Sequence, residues 1–137
     1  MDVAALVAWV LTAGGGFFLF GTWVARGGPQ QARSGETRFP PALLFGHLLL
    51  AATGLVLWIA YVATDADGLA WAAFGVLLPV AVLGFAMLFR WVAERREAGA
   101  TSRAAEQRFP VPVVVLHGVL AVTTLVLVLL SAVGVGE

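Results

Sequence analysis

The sequence has no cysteine and no lysine, and only 12% of its 137 residues are charged. The absence of cysteine excludes disulfides, thiolate metal sites, iron–sulfur clusters, cysteine nucleophiles and covalently attached c-type haem. The few acidic residues are expected at the surfaces, and no nucleophile is paired with an oriented base, which disfavours a hydrolase or a transferase. By contrast, 61% of the residues are hydrophobic, well above the roughly half found in soluble domains. This composition predicts a membrane protein.

Four continuous apolar stretches account for most of the chain: 3–24, 40–63, 69–92 and 111–135. Each can cross a hydrocarbon core of about 30 Å, which takes roughly 20 helical residues, and none alternates as the strands of a membrane barrel do. The first stretch is too long for a signal-peptide core and has no positive flank, so it counts as a helix. We therefore predict one all-α domain, a bundle of four transmembrane helices in a lipid bilayer.

The basic residues lie on one side of the predicted bundle. All eight lie near the end of stretch three or in the segments that join stretch one to two and stretch three to four: Arg26, Arg33, Arg38, Arg90, Arg95, Arg96, Arg103 and Arg108. The opposite side carries only acidic residues: Asp2, Asp65, Asp67 and Glu137. The positive-inside rule then predicts cytoplasmic loops and two outside termini, and the arginine bias without lysine suggests a bacterial cytoplasmic membrane. Glutamates are interspersed among these arginines, and the positive-inside rule already accounts for them, so nucleic-acid binding is disfavoured.

Aromatic residues near the predicted ends of the stretches are expected to form interfacial belts. They are Trp23 and Trp91 on the arginine side, and Trp58, Tyr61 and Trp71 on the acidic side.

The chain contains an internal similarity. A shift of 70 positions aligns Arg38-Phe39-Pro40 with Arg108-Phe109-Pro110 and His47 with His117, and a shift of 68 aligns Gly16-Phe17 with Gly84-Phe85. Proline is tolerated in a first helical turn, so Arg-Phe-Pro is read as the interfacial start of a helix. The pattern predicts two tandem helical hairpins of the same orientation, 1–68 and 69–137, related by an axis along the membrane normal.

His47 and His117 are the only histidines, and each lies nine residues after its interfacial arginine. At 1.5 Å per residue, both should lie about 13 Å into the membrane at equal depth. Ionisable side chains inside a membrane are costly and commonly mark a functional site. Small side chains surround the pair at helical spacing and leave room for a flat group: Gly16, Gly84, Ala51, Ala121, Gly54 and Thr124.

Two imidazoles without a third strong ligand fit the axial positions of a b-type haem, because the porphyrin supplies the other four nitrogens. A bare zinc or copper site would need a third or fourth protein ligand. The haem propionates would point to the arginine side and pair there with Arg90, Arg38 or Arg108. Arg90 is the first candidate, since its equivalent in the other copy is Thr22.

At this point the chain resembles the membrane-embedded four-helix cytochromes b, whose haem is held between helices by one histidine from each of two of them. The resemblance rests on the helix count, on His47 and His117, and on the nearby glycines. It implies electron transfer with quinone or a partner protein. Members often hold two haems with four histidines, whereas two histidines limit this chain to one haem.

Other interpretations stay open. The histidines could pack helices together, bonding a backbone carbonyl or Thr53 or Thr123, or could form a quinone, proton or metal site. The chain could be a non-enzymatic accessory or assembly subunit of a larger membrane complex, a small transporter or a homodimer. Two axial histidines would leave no open coordination position, which favours an electron carrier over a catalytic enzyme.

Overall fold

The computed structural model describes residues 1–37, 39–98 and 103–135, and in these ranges four long apolar helices pack as a bundle. They are α1 (Asp2–Ala25), α3 (Pro41–Thr64), α4 (Asp67–Ala98) and α5 (Val111–Ala132), with a short α2 (Gly28–Ser34) and a 3-10 helix (Ala105–Arg108) at one end. Each long helix is long and apolar enough to cross a membrane. The prediction of an all-α, four-helix membrane protein is confirmed at this level.

Several predicted bounds differ from the structure. The third stretch was predicted to end at residue 92, but α4 continues to Ala98 because good helix formers follow and no glycine or proline stops it. The fourth was predicted to reach residue 135, whereas α5 ends at Ala132. The loop after α1 contains α2, which the apolar pattern does not reveal. Gly27 and Gly35 bound this helix in left-handed conformations with φ of 85° and 76°.

The Arg-Phe-Pro sequence directly precedes the region where α3 and α5 begin, as predicted. Helix α3 begins at Pro41, directly after Pro40, and α5 begins at Val111, directly after Pro110. At the other end, Asp65 caps α3 in a left-handed conformation with φ of 52°, and α4 starts at Asp67. We call the end with the 3-10 helix the arginine-rich end, and the end with Asp2 and Asp65 the acidic end.

The two predicted copies do not pack as two separate hairpins. The most extensive packing joins α1 to α5 and α3 to α4, and each pair combines helices of different predicted copies. Packing within each copy, α1 with α3 and α4 with α5, is less extensive. In this order α3 and α5 lie diagonally opposite each other, as do α1 and α4.

Two aromatic cores close the bundle at its two ends. At the acidic end, the Trp9 and Trp58 rings lie 6.4 Å apart between centroids, and Trp58 and Tyr61 lie 4.8 Å apart. At the arginine-rich end, the core consists of Trp23, Phe39, Trp91, Ala105 and Phe109.

The predicted interfacial belts are therefore mostly wrong. Trp58, Tyr61, Trp23 and Trp91 are all buried, and only Trp71 is exposed, at 49%. Hydropathy places an aromatic residue along its helix but does not tell whether its ring faces lipid or another helix.

The arginine-rich end is held by buried carboxylates, which the sequence predicted at the surface. Glu106 is 0% exposed and accepts a hydrogen bond from the Thr37 hydroxyl, at 3.0 Å to either oxygen. Its backbone carbonyl accepts a 3.0 Å bond from Trp91 Nε1. Glu94 is also buried and accepts a 3.1 Å bond from Gln107. These bonds join the two connecting segments to the end of α4.

The fit of Gly54 against Trp9 predicts a stability difference. A Cβ atom at Gly54 would lie 2.9 Å from Trp9 Cζ2, so Gly54→Ala should lower the unfolding free energy in detergent by about 1–3 kcal/mol through overpacking. Gly75→Ala is the matched control, because no atom lies within 4 Å of its Cβ position. Thermal unfolding followed by circular dichroism measures both variants, and equal melting temperatures would contradict this packing.

Candidate functional site

The two histidines face each other across the bundle. His47 lies on α3 and His117 on the diagonally opposite α5, and their ring centroids are 6.4 Å apart with an angle of 66° between the ring planes. The two imidazoles were predicted to lie at equal depth, and the structure brings them together.

Each imidazole is fixed by a backbone carbonyl of the neighbouring helix. His47 Nδ1 lies 3.0 Å from the Val80 carbonyl of α4, and His117 Nδ1 lies 2.9 Å from the Thr12 carbonyl of α1. A carbonyl can only accept, so Nδ1 carries the proton and donates it in both rings. In the neutral imidazole the proton on Nδ1 leaves Nε2 with its lone pair, ready to bind a metal ion.

Glycines make these hydrogen bonds possible. A Cβ atom at Gly84 would lie 3.2 Å from His47 Cε1, and one at Gly16 would lie 3.1 Å from His117 Cε1. Each of these glycines is one helical turn beyond the carbonyl that its histidine binds. The ring therefore lies directly against the helix backbone, and almost any side chain there would push it away.

The histidines lie in a layer of the bundle where no residue is buried. We call the four segments 13–22 of α1, 41–53 of α3, 81–90 of α4 and 111–123 of α5 the His layer; every residue in them is partly or fully exposed. A helix in a closed core buries a residue on its inward stripe at about every turn. Over about 15 Å of helix length, the side chains are therefore less completely buried than at either end of the bundle.

Buried residues border the His layer in matching positions on, or just before, each of the four long helices. Toward the acidic end they are Thr12, Gly54, Val80 and Thr124, and toward the arginine-rich end Trp23, Phe39, Trp91 and Phe109. Residues 51–60 and 121–130 share the same order of buried, partly buried and exposed positions throughout. The two halves of the site therefore have equivalent surroundings.

The remaining small residues predicted at the site take different places. Ala51 and Ala121 are partly buried within the His layer. Gly54 lies at its border, where the Trp9 ring occupies the space next to it. Thr124 lies at the same border, and its hydroxyl is 3.2 Å from the Thr12 hydroxyl. This contact braces the helix whose carbonyl binds His117. No residue pattern had indicated Thr12 or Val80, because both act through backbone carbonyls.

The arginines proposed to pair with propionates lie toward the arginine-rich end. Arg90 is the last residue of the His layer on α4 and is exposed, and Arg108 is exposed at the end of the 3-10 helix. Arg38 lies outside the described residues. Within the described part of the chain, no group of three or more histidine, aspartate or glutamate side chains could hold a metal ion.

Thr53 and Thr123, considered as partners for the histidines, bond within their own helices. Their hydroxyls donate to the carbonyls of Leu49 and Val119, at 2.9 Å in each case. The histidines instead donate their hydrogen bonds to backbone carbonyls of α1 and α4.

Comparison with protein-family models, with curated proteins and with solved structures gives no match. A function for this chain therefore has to be argued from the geometry of the histidine site.

The contacts of His47 with Gly84 and of His117 with Gly16 predict a specific response to substitution. Gly84→Ala should displace the His47 ring and Gly16→Ala the His117 ring, because each added methyl group would lie closer to the imidazole than ordinary van der Waals contact allows. Nitrogen-15 NMR of histidine-labelled protein in detergent reports each ring separately, and both should be Nδ1–H tautomers in the wild type. Gly14→Ala, with open space at its Cβ position, should change neither ring. Nε2–H tautomers in the wild type would contradict the carbonyl bonds.

Proposed function

We propose that the chain binds one b-type haem between His47 and His117 and transfers electrons to quinone or to a partner protein. One observation carries the proposal. Two imidazoles with their Nδ1 protons held by carbonyls face each other inside the His layer, where no residue is fully buried.

The spacing of the rings fits a shared metal ion. Two imidazoles that bind one ion from opposite sides, each through a nitrogen about 2 Å away, have centroids about 6 Å apart. The observed separation is 6.4 Å. A porphyrin supplies four equatorial nitrogens, so two protein ligands complete the coordination of its iron.

The residues around the pair have distinct tasks in this proposal. The Val80 and Thr12 carbonyls orient the rings and make their Nε2 atoms better ligands. Gly16 and Gly84 admit the rings, and the aromatic cores at both ends keep water from the interior. When bound, the haem supplies one-electron chemistry. With both axial positions taken by histidine, the site suits electron transfer rather than oxygen chemistry.

The duplicated sequence supports a symmetric site. The Thr12 and Val80 acceptors are related by the same shift of 68 positions as Gly16 and Gly84, and the two histidines by the shift of 70. We interpret the chain as two copies of a helix pair around an axis along the membrane normal. With the arginine-rich end in the cytoplasm, the haem would lie in the cytoplasmic half of the membrane and exchange electrons on that side.

A structural role is the second candidate, and the carbonyl bonds favour it, since each histidine already has a partner on a neighbouring helix. Such bonds stabilise membrane bundles by roughly 0.6 kcal/mol on average. A packing role does not explain why no residue of the His layer is fully buried. It predicts that histidine substitutions change stability without any effect on a visible spectrum.

Removal of either imidazole should prevent tight haem binding. His47→Ala and His117→Ala are each expected to lower haem retention during purification by at least about 10-fold, because loss of even an outer-shell partner of a metal ligand costs 10- to 100-fold. The measurement is the Soret absorbance per chain after expression in haem-replete cells.

Thr123→Val is the matched control for this test. Thr123 lies on the same helix as His117, is exposed, and bonds only within that helix. It should retain haem as the wild type does. A wild-type protein that stays colourless and takes up no added haemin would refute the proposed function.

A further inference from the structure

Thr12 contacts α5 through both its backbone and its side chain. Its carbonyl accepts the hydrogen bond from His117 Nδ1, and its hydroxyl lies 3.2 Å from the hydroxyl of Thr124. His117 and Thr124 are seven residues apart, which is two helical turns, so they lie on one stripe of α5 about 10 Å apart. Two contacts at this separation hold Thr12 against α5 more firmly than either contact would alone.

The two hydroxyls can form a hydrogen bond between the helices without leaving another group unpaired. Each hydroxyl also lies 2.8 Å from the carbonyl four residues earlier in its own helix, that of Ala8 for Thr12 and that of Leu120 for Thr124. Those carbonyls already accept backbone N–H groups within their helices. One hydroxyl can therefore donate to the other. Both threonines are buried, so water does not compete for this bond.

The other half of the site has no such bond. The counterparts of the two threonines in the internal repeat are Val80 and Gly54, which carry no hydroxyl. Val80 still offers its carbonyl to His47, but beside Gly54 lies the apolar ring of Trp9. The half of the site that contains His117 is thus held by a polar contact that the other half lacks.

We propose that the hydroxyl bond between Thr12 and Thr124 positions the carbonyl that orients His117, and so controls one of the two haem ligands independently of the other. The role of His117 as a ligand rests on the proposed function, whereas the positioning of its ring does not. Both threonines are positioning residues, since each acts through the Thr12 carbonyl. Groups that orient a metal-bound imidazole affect metal affinity although they do not bind the metal themselves.

Thr124→Val tests the proposal, because it removes the hydroxyl and keeps the branched shape of the side chain. The measurement is NMR of haem-free, histidine-labelled protein in detergent. The Nδ1–H resonance of His117 should move upfield and exchange faster with water, because its hydrogen bond is weaker. The resonance of His47 should stay as in the wild type.

Two further variants serve as controls. Thr124→Ser keeps the hydroxyl and should restore the wild-type resonance of His117. Thr123→Val should change neither histidine, because Thr123 is exposed and its hydroxyl bonds only within α5.

The pairing of the two threonines has its own signature. Thr12→Val should change the His117 resonance as Thr124→Val does, and the double variant should show no larger change, because the same bond is lost in all three. Thr12→Val also serves if Thr124→Val does not fold. In a titration with haemin, each single variant should bind about 3-fold more weakly, which corresponds to the average strength of a hydrogen bond between membrane helices.

Three results would overturn the proposal. They are equal changes at both histidines, which would show a general loosening of the bundle, an unchanged His117 resonance in both valine variants, and additive changes in the double variant. A wild-type protein that binds no haemin refutes the proposed function instead, and the haem-free resonances then still decide whether the threonines position His117.

Discussion

The hydrogen bond from each histidine Nδ1 to a carbonyl of the adjacent helix is the interaction on which the site depends. It fixes the tautomer, turns the ring toward the bundle axis, and joins α3 to α4 and α5 to α1, which are the most extensively packed helix pairs. It also explains the glycines, since only the absence of a side chain one turn beyond the acceptor lets the ring reach the carbonyl. A carbonyl already bonded within its own helix keeps a second lone pair for this purpose.

Two closely packed ends border the His layer. The Trp9, Trp58 and Tyr61 rings close the acidic end, and the buried Glu106 with its Thr37 and Trp91 partners closes the arginine-rich end. With both ends held by aromatic packing and hydrogen bonds, the helices cannot collapse onto the histidines without loss of these contacts. A site whose two ends are held in this way needs less ordering on binding a ligand than a flexible site does.

Sequence patterns were sufficient to predict the four long helices and the facing pair of histidines. Apolar length predicts the spans, and the repeated Arg-Phe-Pro with one histidine at a fixed distance predicts two imidazoles at one level. The same patterns could not predict rotation about a helix axis, so Trp58 was expected at the lipid interface and is instead buried. They could not reveal Val80 and Thr12, whose carbonyls carry no residue-specific signal. They also could not show that the Glu106 carbonyl accepts a hydrogen bond from Trp91, because tertiary packing brings the two together.

A titration of the haem-free wild-type protein with haemin, followed by absorption spectroscopy and low-temperature electron paramagnetic resonance, tests the histidine site most directly. The facing imidazoles predict saturation at one haem per chain, with the low-spin ferric signal of an iron that has two histidine ligands. The 66° angle between the rings predicts that these ligand planes are twisted rather than parallel. A high-spin signal, or uptake without saturation, would show that the two imidazoles do not hold one haem between them.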